Sequence, residues 1–295
     1  MATQLPPLKD IERLSPLVIR ILGGNPSKFT LQGTNTYLIG LGPQRLLIDT
    51  GQGLPSWKSN LSSILESESC TISTALLTHW HEDHTLGIPS LLSLCPTASI
   101  YKHTPTNSQH PISHGQVFRT KGATLRAYFC PGHTSDHMAF MLEEEGAMFT
   151  GDNVLGHGTA VFEDLGTYMS SLEGMKAEFT TENPGRAYPG HGAVIEDGKQ
   201  KIGEYTAHRK MREEEVLREL ETTSSNVSAA QGRDGQGRRG KTSMELVKVI
   251  YRDVPENLHI PAEGGVVQVL RKLEREGKVR RTDGNRWVLV EKATL

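Results

Sequence analysis

The segment Thr78-His79-Trp80-His81-Glu82-Asp83-His84 contains four side chains that can bind a metal ion, three histidines and one aspartate. An apolar run that predicts a buried strand comes directly before it. Protonated histidines so close together would repel one another, whereas a bound cation takes up neutral imidazoles. This density of ligands predicts a metal site rather than a solvated polar loop.

Three further turns each place one ligand-type side chain after a predicted strand. Their sequences are Pro-Gly-His-Thr at 131–134, Thr-Gly-Asp-Asn at 150–153 and Pro-Gly-His-Gly at 189–192. Glycine lets the backbone approach an ion closely at such turns. The turns and the cluster together complete a set for two metal ions. The set comprises His79, His81 and His133 for one ion, Asp83, His84 and His191 for the other, and Asp152 between them.

The positions of apolar residues predict the elements that carry these ligands. Short apolar or β-branched runs bounded by turns predict strands over 18–22, 36–39, 46–49, 75–78, 124–129, 137–142 and 147–150. Helical spacing of apolar residues predicts helices over 57–68, 172–179 and 198–220. Strands mixed with helices in this order indicate a layered α/β (α+β) architecture, not a helix bundle or a β-sandwich.

The C-terminal part of the chain has a different pattern. Residues 222–241 contain few apolar side chains and predict a flexible linker. Two apolar stripes at helical spacing follow, and then two strands around a hairpin signal at 283–285, an arrangement that resembles a winged-helix unit. We therefore predict a catalytic domain over 1–221, a linker over 222–241 and a winged-helix-like unit over 242–295.

Composition excludes several classes of protein. The 295 residues include 36% hydrophobic and 22% charged residues, as in a globular protein with a packed core. Cys70, Cys95 and Cys130 form neither a disulfide framework nor a metal-binding pair, which predicts reduced thiols. No apolar run is long enough to span a membrane, and the N-terminus has no secretory pattern. We expect an intracellular, cytoplasmic protein without a membrane partner.

Charge is distributed unevenly along the chain. Residues 232–295 hold 14 Lys and Arg against 9 Asp and Glu, a net charge of +5. Because the whole chain has a net charge of −2, the preceding residues carry −7. The tail is thus the part that could bind an acidic partner.

The order and spacing of the seven ligand residues resemble those of the metallo-β-lactamase superfamily, with every ligand position filled. The earlier Leu47-Ile48-Asp49-Thr50-Gly51 is similar to that superfamily's first motif. The resemblance implies an αββα sandwich with the metals at one edge between the two sheets. It also implies zinc, two ions per chain, and a role for Asp49 in supporting the ligand loops.

Three other segments, 30–37, 134–138 and 158–164, resemble one branch of the superfamily that also carries a winged-helix-like tail. This branch includes lactamase-like hydrolases and thioesterases encoded beside fungal polyketide synthases, and the animal β-lactamase-like protein 2 group. Residues 151–158 are closer to the fungal form. The resemblance implies a hydrolase, preferably a thioesterase, that releases or processes a carrier-bound or free polyketide in fungal secondary metabolism. It also implies contact with a polyketide synthase.

Two metals would lower the pKa of a bridging water, and Asp83 is the predicted catalytic residue that orients this water and moves its proton. Three alternatives remain open at this point. The chain could be a metal-dependent single-strand endoribonuclease whose partner is RNA, bound by the Arg-rich linker and the basic tail. It could be a small-molecule thioester hydrolase of glyoxalase II type, or a binding protein that has lost catalysis. His and Asp ligands would also accept manganese or iron.

Overall fold

A computed structural model gives the fold of the protein. It describes residues 5–106, 108–180, 185–225, 240–282 and 284–290. The chain forms two compact units. The first comprises Met1–Glu163 and Thr167–Tyr205, and the second comprises Asp164–Gly166 and Thr206–Leu295.

A seven-stranded sheet forms one half of the first unit, and its strands follow chain order across the sheet. The strands are β1 (Ile11–Arg13), β2 (Val18–Leu22), β3 (Asn35–Ile39), β4 (Gln44–Ile48), β5 (Thr71–Leu76), β6 (Ser99–Lys102) and β7 (His110–Pro111). Strands β1 to β4 pair antiparallel, and β4 to β7 pair parallel. Because parallel neighbours need crossover connections, helices lie between β4 and β5 and between β5 and β6 in the chain. They are α1 (Pro55–Ser67), α2 (Glu82–Thr85) and α3 (Ile88–Leu94).

A five-stranded sheet forms the other half of this unit, in the order β12-β11-β10-β9-β8. Its strands are β8 (Val117–Thr120), β9 (Ala123–Phe129), β10 (Met138–Leu142), β11 (Ala147–Gly151) and β12 (Ala187–Pro189). Only the pair β11 and β12 is parallel among these five strands. Helix α4 (Leu165–Ala177) lies between these two strands in the chain, and α5 (Gly198–Ser225) follows β12.

Two buried apolar clusters hold these layers together. The first cluster lies between the sheets and contains Leu46 and Leu76 from one sheet and Phe140 and Phe149 from the other. The second packs the outer face of the seven-stranded sheet against α1 and α3, with Trp57 fully buried. Since strands β2 and β3 are buried along their whole length, both of their faces are covered, and most of their residues are apolar. The predicted αββα architecture is confirmed.

Residues 240–290 of the second unit include two helices and a two-stranded ribbon. These elements are α6 (Ser243–Ile250), α7 (His259–Arg275), β13 (Val279–Thr282) and β14 (Arg286–Leu289), with a short 3-10 helix at Glu256–Leu258. Thr242 caps α6, because its hydroxyl accepts the Glu245 amide while the Glu245 side chain accepts the Thr242 amide. Helix α5 extends to Ser225, and residues 226–239 of the predicted linker lie outside the described residues, so its bounds stay a prediction.

No helix in the described part of the chain is both long and apolar enough to cross a membrane.

Candidate metal centre

The seven predicted ligands all lie where strands of the first unit end. Strand β5 leads to the cluster at 79–84, whereas β9, β11 and β12 lead to His133, Asp152 and His191. Hydrogen bonds join the two sheets beside this point, from the Met138 amide to the Thr78 carbonyl (2.7 Å) and from the Asn35 amide to the Gly190 carbonyl (2.7 Å). The ligands therefore meet at one edge between the sheets.

Three imidazoles and one carboxylate form the first group of candidate ligands: His79, His81, His133 and Asp152. Their ligand atoms lie within 4.8 Å of one another. The Nδ1 of His81 is 2.9 Å from the Nε2 of His79 and 3.1 Å from the Nε2 of His133. Because one ring N–H cannot serve both neighbours, this geometry brings nitrogen lone pairs together, as a cation requires.

The second group contains Asp83, His84 and His191. The Oδ2 of Asp83 lies 3.3 Å from the Nε2 of His84 and 3.3 Å from the Nε2 of His191. Asp152 reaches this group as well, with its Oδ2 3.1 Å from His191 and its Oδ1 3.5 Å from His84. Since its Oδ2 is also 3.7 Å from His133, the Asp152 carboxylate lies between the two groups.

Hydrogen bonds behind two of the histidines determine which ring nitrogen carries the proton. The Nδ1 of His133 is 2.8 Å from the Val161 carbonyl, which can only accept. The Nδ1 of His84 is 2.7 Å from Oδ2 of the Asp49 carboxylate. Because Nδ1 holds its proton in these hydrogen bonds, Nε2 is the nitrogen that faces the centre and can coordinate a cation in both residues.

Asp49 also acts on His79 through a threonine. The Thr78 hydroxyl lies 2.8 Å from Asp49 Oδ2 and donates to this carboxylate, so it accepts from Nδ1 of His79 at 2.9 Å. The Thr78 amide donates to Asp49 Oδ1 at 2.8 Å. Asp49 is buried and lies outside both ligand groups, where the superfamily resemblance put it.

The residues present fit a bound cation. The buried Nε2 of His84 and Oδ1 of Asp152 have no hydrogen-bond partner among the described residues. An unpaired buried polar atom costs free energy, and coordination of a metal ion by these atoms would remove that cost. Histidine nitrogens and carboxylate oxygens are a donor set that Zn²⁺ accepts.

Neighbouring charges shift the pKa values of two candidate ligands in opposite directions. Burial raises the pKa of the Asp83 carboxyl, but the neighbouring His84, together with the charge of His191, outweighs burial and holds it well below its usual value. Burial lowers the pKa of His84, but Asp152 and Asp49 outweigh burial and raise it well above its usual value. A metal ion at Nε2 would replace the proton that these carboxylates favour.

Two supporting residues lie in segments that carry the resemblance, 30–37 and 134–138, but no role was predicted for them from the sequence. The buried Thr34 hydroxyl donates to Asp83 Oδ2 at 2.8 Å. The Nε2 of the buried His137 accepts the Asp152 amide at 3.1 Å, and its Nδ1 lies 3.3 Å from the Cys130 sulfur. Their partners are 49 and 15 residues away in the chain, so only the folded structure brings these pairs together.

A cleft of about 410 Å³ opens above the ligands. Its floor includes metal-ligand candidates from both groups, whereas its walls are largely apolar. The apolar wall residues are Phe29, Leu31, Leu155, Ala160 and Val161. A small organic group attached to a reacting centre at the floor would be bound by these walls.

Two family models match the chain. The Metallo-beta-lactamase superfamily model matches residues 29–191, and the Beta-lactamase associated winged helix domain model matches residues 242–287. The predicted winged-helix character of the C-terminal unit is thereby confirmed.

Several fungal proteins are similar over nearly the whole chain. An atrochrysone carboxyl ACP thioesterase of Cryptosporiopsis sp. (strain 8999) is 48% identical over 97% of this chain and 89% of its own length. A lactamase-like protein of Pestalotiopsis fici is 50% identical over 93% of this chain and 85% of its own length. An atrochrysone carboxyl ACP thioesterase of Aspergillus novofumigatus is 47% identical over 94% of this chain and 84% of its own length. The predicted resemblance to fungal lactamase-like proteins is confirmed.

Solved structures show the same fold at lower identity. A metallo-beta-lactamase family protein of Thermus thermophilus superposes with a TM-score of 0.68 at 23% identity, covering 94% of this chain and all of the other. A beta-lactamase domain protein of Burkholderia ambifaria superposes with a TM-score of 0.75 at 18% identity, covering 98% and 96%. With a family model that spans more than half of its length and relatives that align along nearly all of it, the chain belongs to the metallo-β-lactamase superfamily.

Proposed function

We propose that the protein is a two-zinc thioesterase that releases a polyketide from an acyl carrier protein in fungal secondary metabolism. The convergence of seven ligand side chains at one sheet edge carries this proposal. The substrate class is supported by the 48% identity of this chain to a protein named as an atrochrysone carboxyl ACP thioesterase. The carrier protein, and contact with the polyketide synthase that bears it, are the partners that we propose.

Each ligand group would hold one ion, and Asp152 would contact both. His79, His81 and His133 form one group, whereas Asp83, His84 and His191 form the other. When bound, the ions would polarise the thioester carbonyl and lower the pKa of water at the floor of the cleft.

We propose that Asp83 orients the attacking water and accepts its proton. Its carboxylate is ionised, because the low pKa noted above keeps it charged, and its Oδ2 is held by Thr34. The carboxylate would orient the water and accept its proton as the new C–O bond forms. The C–S bond then breaks and releases a pantetheine thiolate, which needs little acid assistance because thiols have a pKa of about 8.5.

The ribonuclease alternative finds less support in the charges of the described residues. Lys28 is the only Lys or Arg that lines the cleft in the described part of the chain. In the second unit, Lys272 lies 2.7 Å from Glu213, and Arg275 lies 2.6 Å from Asp164. A phosphate backbone needs several free cations, so these ion pairs weaken the case for an RNA-binding helix α7.

A paired activity assay on zinc-loaded protein tests the proposal. One arm offers an aryl polyketide thioester on a carrier protein, and the others offer a single-stranded RNA and a glutathione thioester. We expect release of the free acid from the carrier, intact RNA, and little turnover of the glutathione thioester. Zinc-dependent RNA cleavage with an untouched carrier thioester would overturn the proposal.

Two variants test whether the measured activity comes from the candidate metal centre. Asp83→Asn should abolish release of the acid, while its zinc content is measured in parallel. Glu82→Gln is the matched control, since Glu82 is adjacent and exposed but belongs to neither ligand group. We expect Glu82→Gln to retain wild-type turnover.

A further inference from the structure

The cleft must hold the acyl group of the substrate, an inference that rests on the proposed thioesterase function. Five of the candidate ligands line the floor, so the scissile carbonyl has to lie there; they are His81, Asp83, His133, Asp152 and His191. The group attached to that carbonyl then occupies the space between the walls. The chemistry of the walls therefore indicates the chemistry of the acyl group.

Two wall residues present apolar side chains that the fold leaves uncovered. Phe29 is 74% exposed and Val161 is 65% exposed, although large apolar side chains of the first unit are mostly buried. Val161 is held in place, because its carbonyl accepts the Nδ1 proton of the candidate ligand His133 at 2.8 Å. Both uncovered side chains thus belong to the cleft beside the candidate metal centre.

Phe29 lies on an ordered loop, residues 25–34, which we call the aromatic loop. The Ser27 hydroxyl accepts the Phe29 amide at 3.1 Å, and the Thr30 hydroxyl donates to the Asn25 carbonyl at 2.5 Å. The loop ends at Thr34, whose hydroxyl donates to Asp83. These bonds hold the backbone that carries the exposed ring, which reduces the backbone entropy lost when the ring binds a partner.

Lys28 adds a positive charge to the same loop. It is exposed, and its Nζ lies 5.9 Å from the centre of the Phe29 ring. Among the described residues, no carboxylate lies within ion-pair distance of Lys28, so its charge is available to a ligand. A ring beside a free ammonium group fits a flat ligand that carries a negative charge.

We propose that Phe29 and Lys28 form the acyl-binding subsite, in which Phe29 packs against an aromatic ring of the substrate and Lys28 pairs with an anionic oxygen of the substrate. A pair of aromatic rings is stabilised by more than the burial of its apolar area alone. A flat ring also loses less conformational entropy on binding than a flexible alkyl chain does. The anionic oxygen belongs either to the acyl group or to the phosphate of the pantetheine arm. Both sources share the same pairing chemistry.

Matched thioesters test the role of Phe29. The pair is 2-naphthoyl and decahydro-2-naphthoyl N-acetylcysteamine, which have the same carbon skeleton and differ in aromaticity. We expect Phe29→Leu to reduce the wild-type preference for naphthoyl, measured as a ratio of kcat/KM values, by about 3- to 10-fold. Phe29→Tyr, which keeps the ring, should retain the preference. An unchanged ratio in Phe29→Leu would contradict this part of the proposal.

Charged substrates test the role of Lys28 and the source of the anion. We compare 6-carboxy-2-naphthoyl with 2-naphthoyl, and 2-naphthoyl phosphopantetheine with 2-naphthoyl pantetheine. In one of these pairs, Lys28→Gln should lower the ratio of kcat/KM for the charged substrate to kcat/KM for the neutral one by about 3- to 5-fold. This loss should be smaller at high salt. A loss with the carboxylate locates the anion on the acyl group, and a loss with the phosphate locates it on the arm. Equal effects on charged and neutral members would overturn the pairing.

A binding measurement separates this inference from the proposed function. The same variants are titrated by calorimetry with ketone analogues, in which a CH₂ group replaces the thioester sulfur. We expect the dissociation constants to shift by the same factors as kcat/KM. Lys121→Gln is the control, because Lys121 is exposed in the same unit but does not line the cleft. If no thioester is cleaved, the proposed function fails, while the dissociation constants still test the subsite.

Discussion

Asp49 accepts hydrogen bonds that orient one histidine in each of the two ligand groups. It accepts directly from His84 in one group and, through the Thr78 hydroxyl, orders His79 in the other. Its φ of 58° places its backbone in the left-handed region, a conformation that costs about 1 kcal/mol or more for a residue other than glycine. A single buried carboxylate thus prepares two imidazoles to present Nε2 to a metal ion.

Asp49→Asn tests this role without changing the size of the side chain. Oδ2 of Asp49 accepts from His84 and from the Thr78 hydroxyl, while Oδ1 accepts the Thr78 backbone amide. The side-chain amide of asparagine has one acceptor oxygen, so its NH2 group must face either His84 and the Thr78 hydroxyl or the Thr78 backbone amide. We expect zinc content to fall below two ions per chain and kcat/KM to fall about 10- to 100-fold. Elemental analysis and the thioesterase assay measure the two quantities. Asp10→Asn is the exposed control, and two retained ions with wild-type activity in Asp49→Asn would contradict the role.

The hydroxyl of Thr34 has a narrower role that another pair of variants can isolate. It donates to Asp83 Oδ2 and accepts from the side-chain amide of Asn25 (Nδ2) at 3.1 Å. Because a hydrogen bond to a charged group contributes about 1.5–3 kcal/mol, Thr34→Val should lower kcat about 10-fold with little change in KM. Thr34→Ser, which keeps the hydroxyl, should retain most of kcat. If the valine and serine variants have the same kcat, the hydroxyl does not position Asp83.

At the scale of elements, the strands that lead to the candidate ligands were easier to predict from the sequence than the hydrogen bonds that orient those ligands. Largely apolar runs such as β2 and β10 were predictable, and the candidate ligands could be proposed because they cluster after strands. The short strands β6 and β7 have too few residues to show a period. The contact of Asp49 with Thr78 depends on the parallel pairing of β4 with β5, which brings the ends of two separate strands together.

Close packing beside the ligands is a second property of the elements that substitution can test. A Cβ on Gly87, directly before α3, would lie 1.8 Å from the Thr50 carbonyl oxygen. The Thr50 amide in turn donates to the His84 carbonyl at 2.9 Å. Gly87→Ala should therefore destabilise the first unit by about 1–3 kcal/mol, with faster hydrogen exchange in α3. Exchange at the wild-type rate would show that the backbone can separate here without cost.

Gly264 in α7 should respond in the opposite direction. It is exposed, and a Cβ there would meet no described atom within 4 Å. Because alanine favours helix more than glycine does, Gly264→Ala should stabilise α7 by about 0.5–1 kcal/mol. Slower hydrogen exchange of the α7 amides in this variant is the expected measurement. Faster exchange would mean that α7 needs the freedom of this glycine.

At the scale of the whole molecule, each unit has its own buried core. The first unit is built around the two sheets, and the second buries Leu246, Leu270 and Trp287. Charge counting predicted a positive C-terminal tail. In the structure, cations of this tail form ion pairs with carboxylates of the same unit, as Lys272 does with Glu213. Counting charges along the sequence therefore overestimates the free positive charge, because the folded chain determines which charges form pairs.

Metal binding should couple the site to the stability of the whole first unit, in a way that depends on pH. His84 has a pKa raised by Asp152 and Asp49, so in metal-free protein its protonated form stabilises the fold at low pH, and this contribution disappears as pH rises through the raised pKa. A metal ion bound at Nε2 would release that proton, so its affinity would increase with pH. A ligand present at about 100 times its dissociation constant stabilises the fold by about 2.7 kcal/mol.

We therefore expect chelation to lower the melting temperature, and the difference between zinc-loaded and chelated protein to widen from pH 5.5 to pH 8. Calorimetric scans at fixed free zinc measure this difference. Asp152→Asn removes a carboxylate that raises the pKa of His84 and touches both ligand groups, so it should reduce both the difference and its dependence on pH. A difference that stays constant across this range would mean that zinc does not replace the His84 proton.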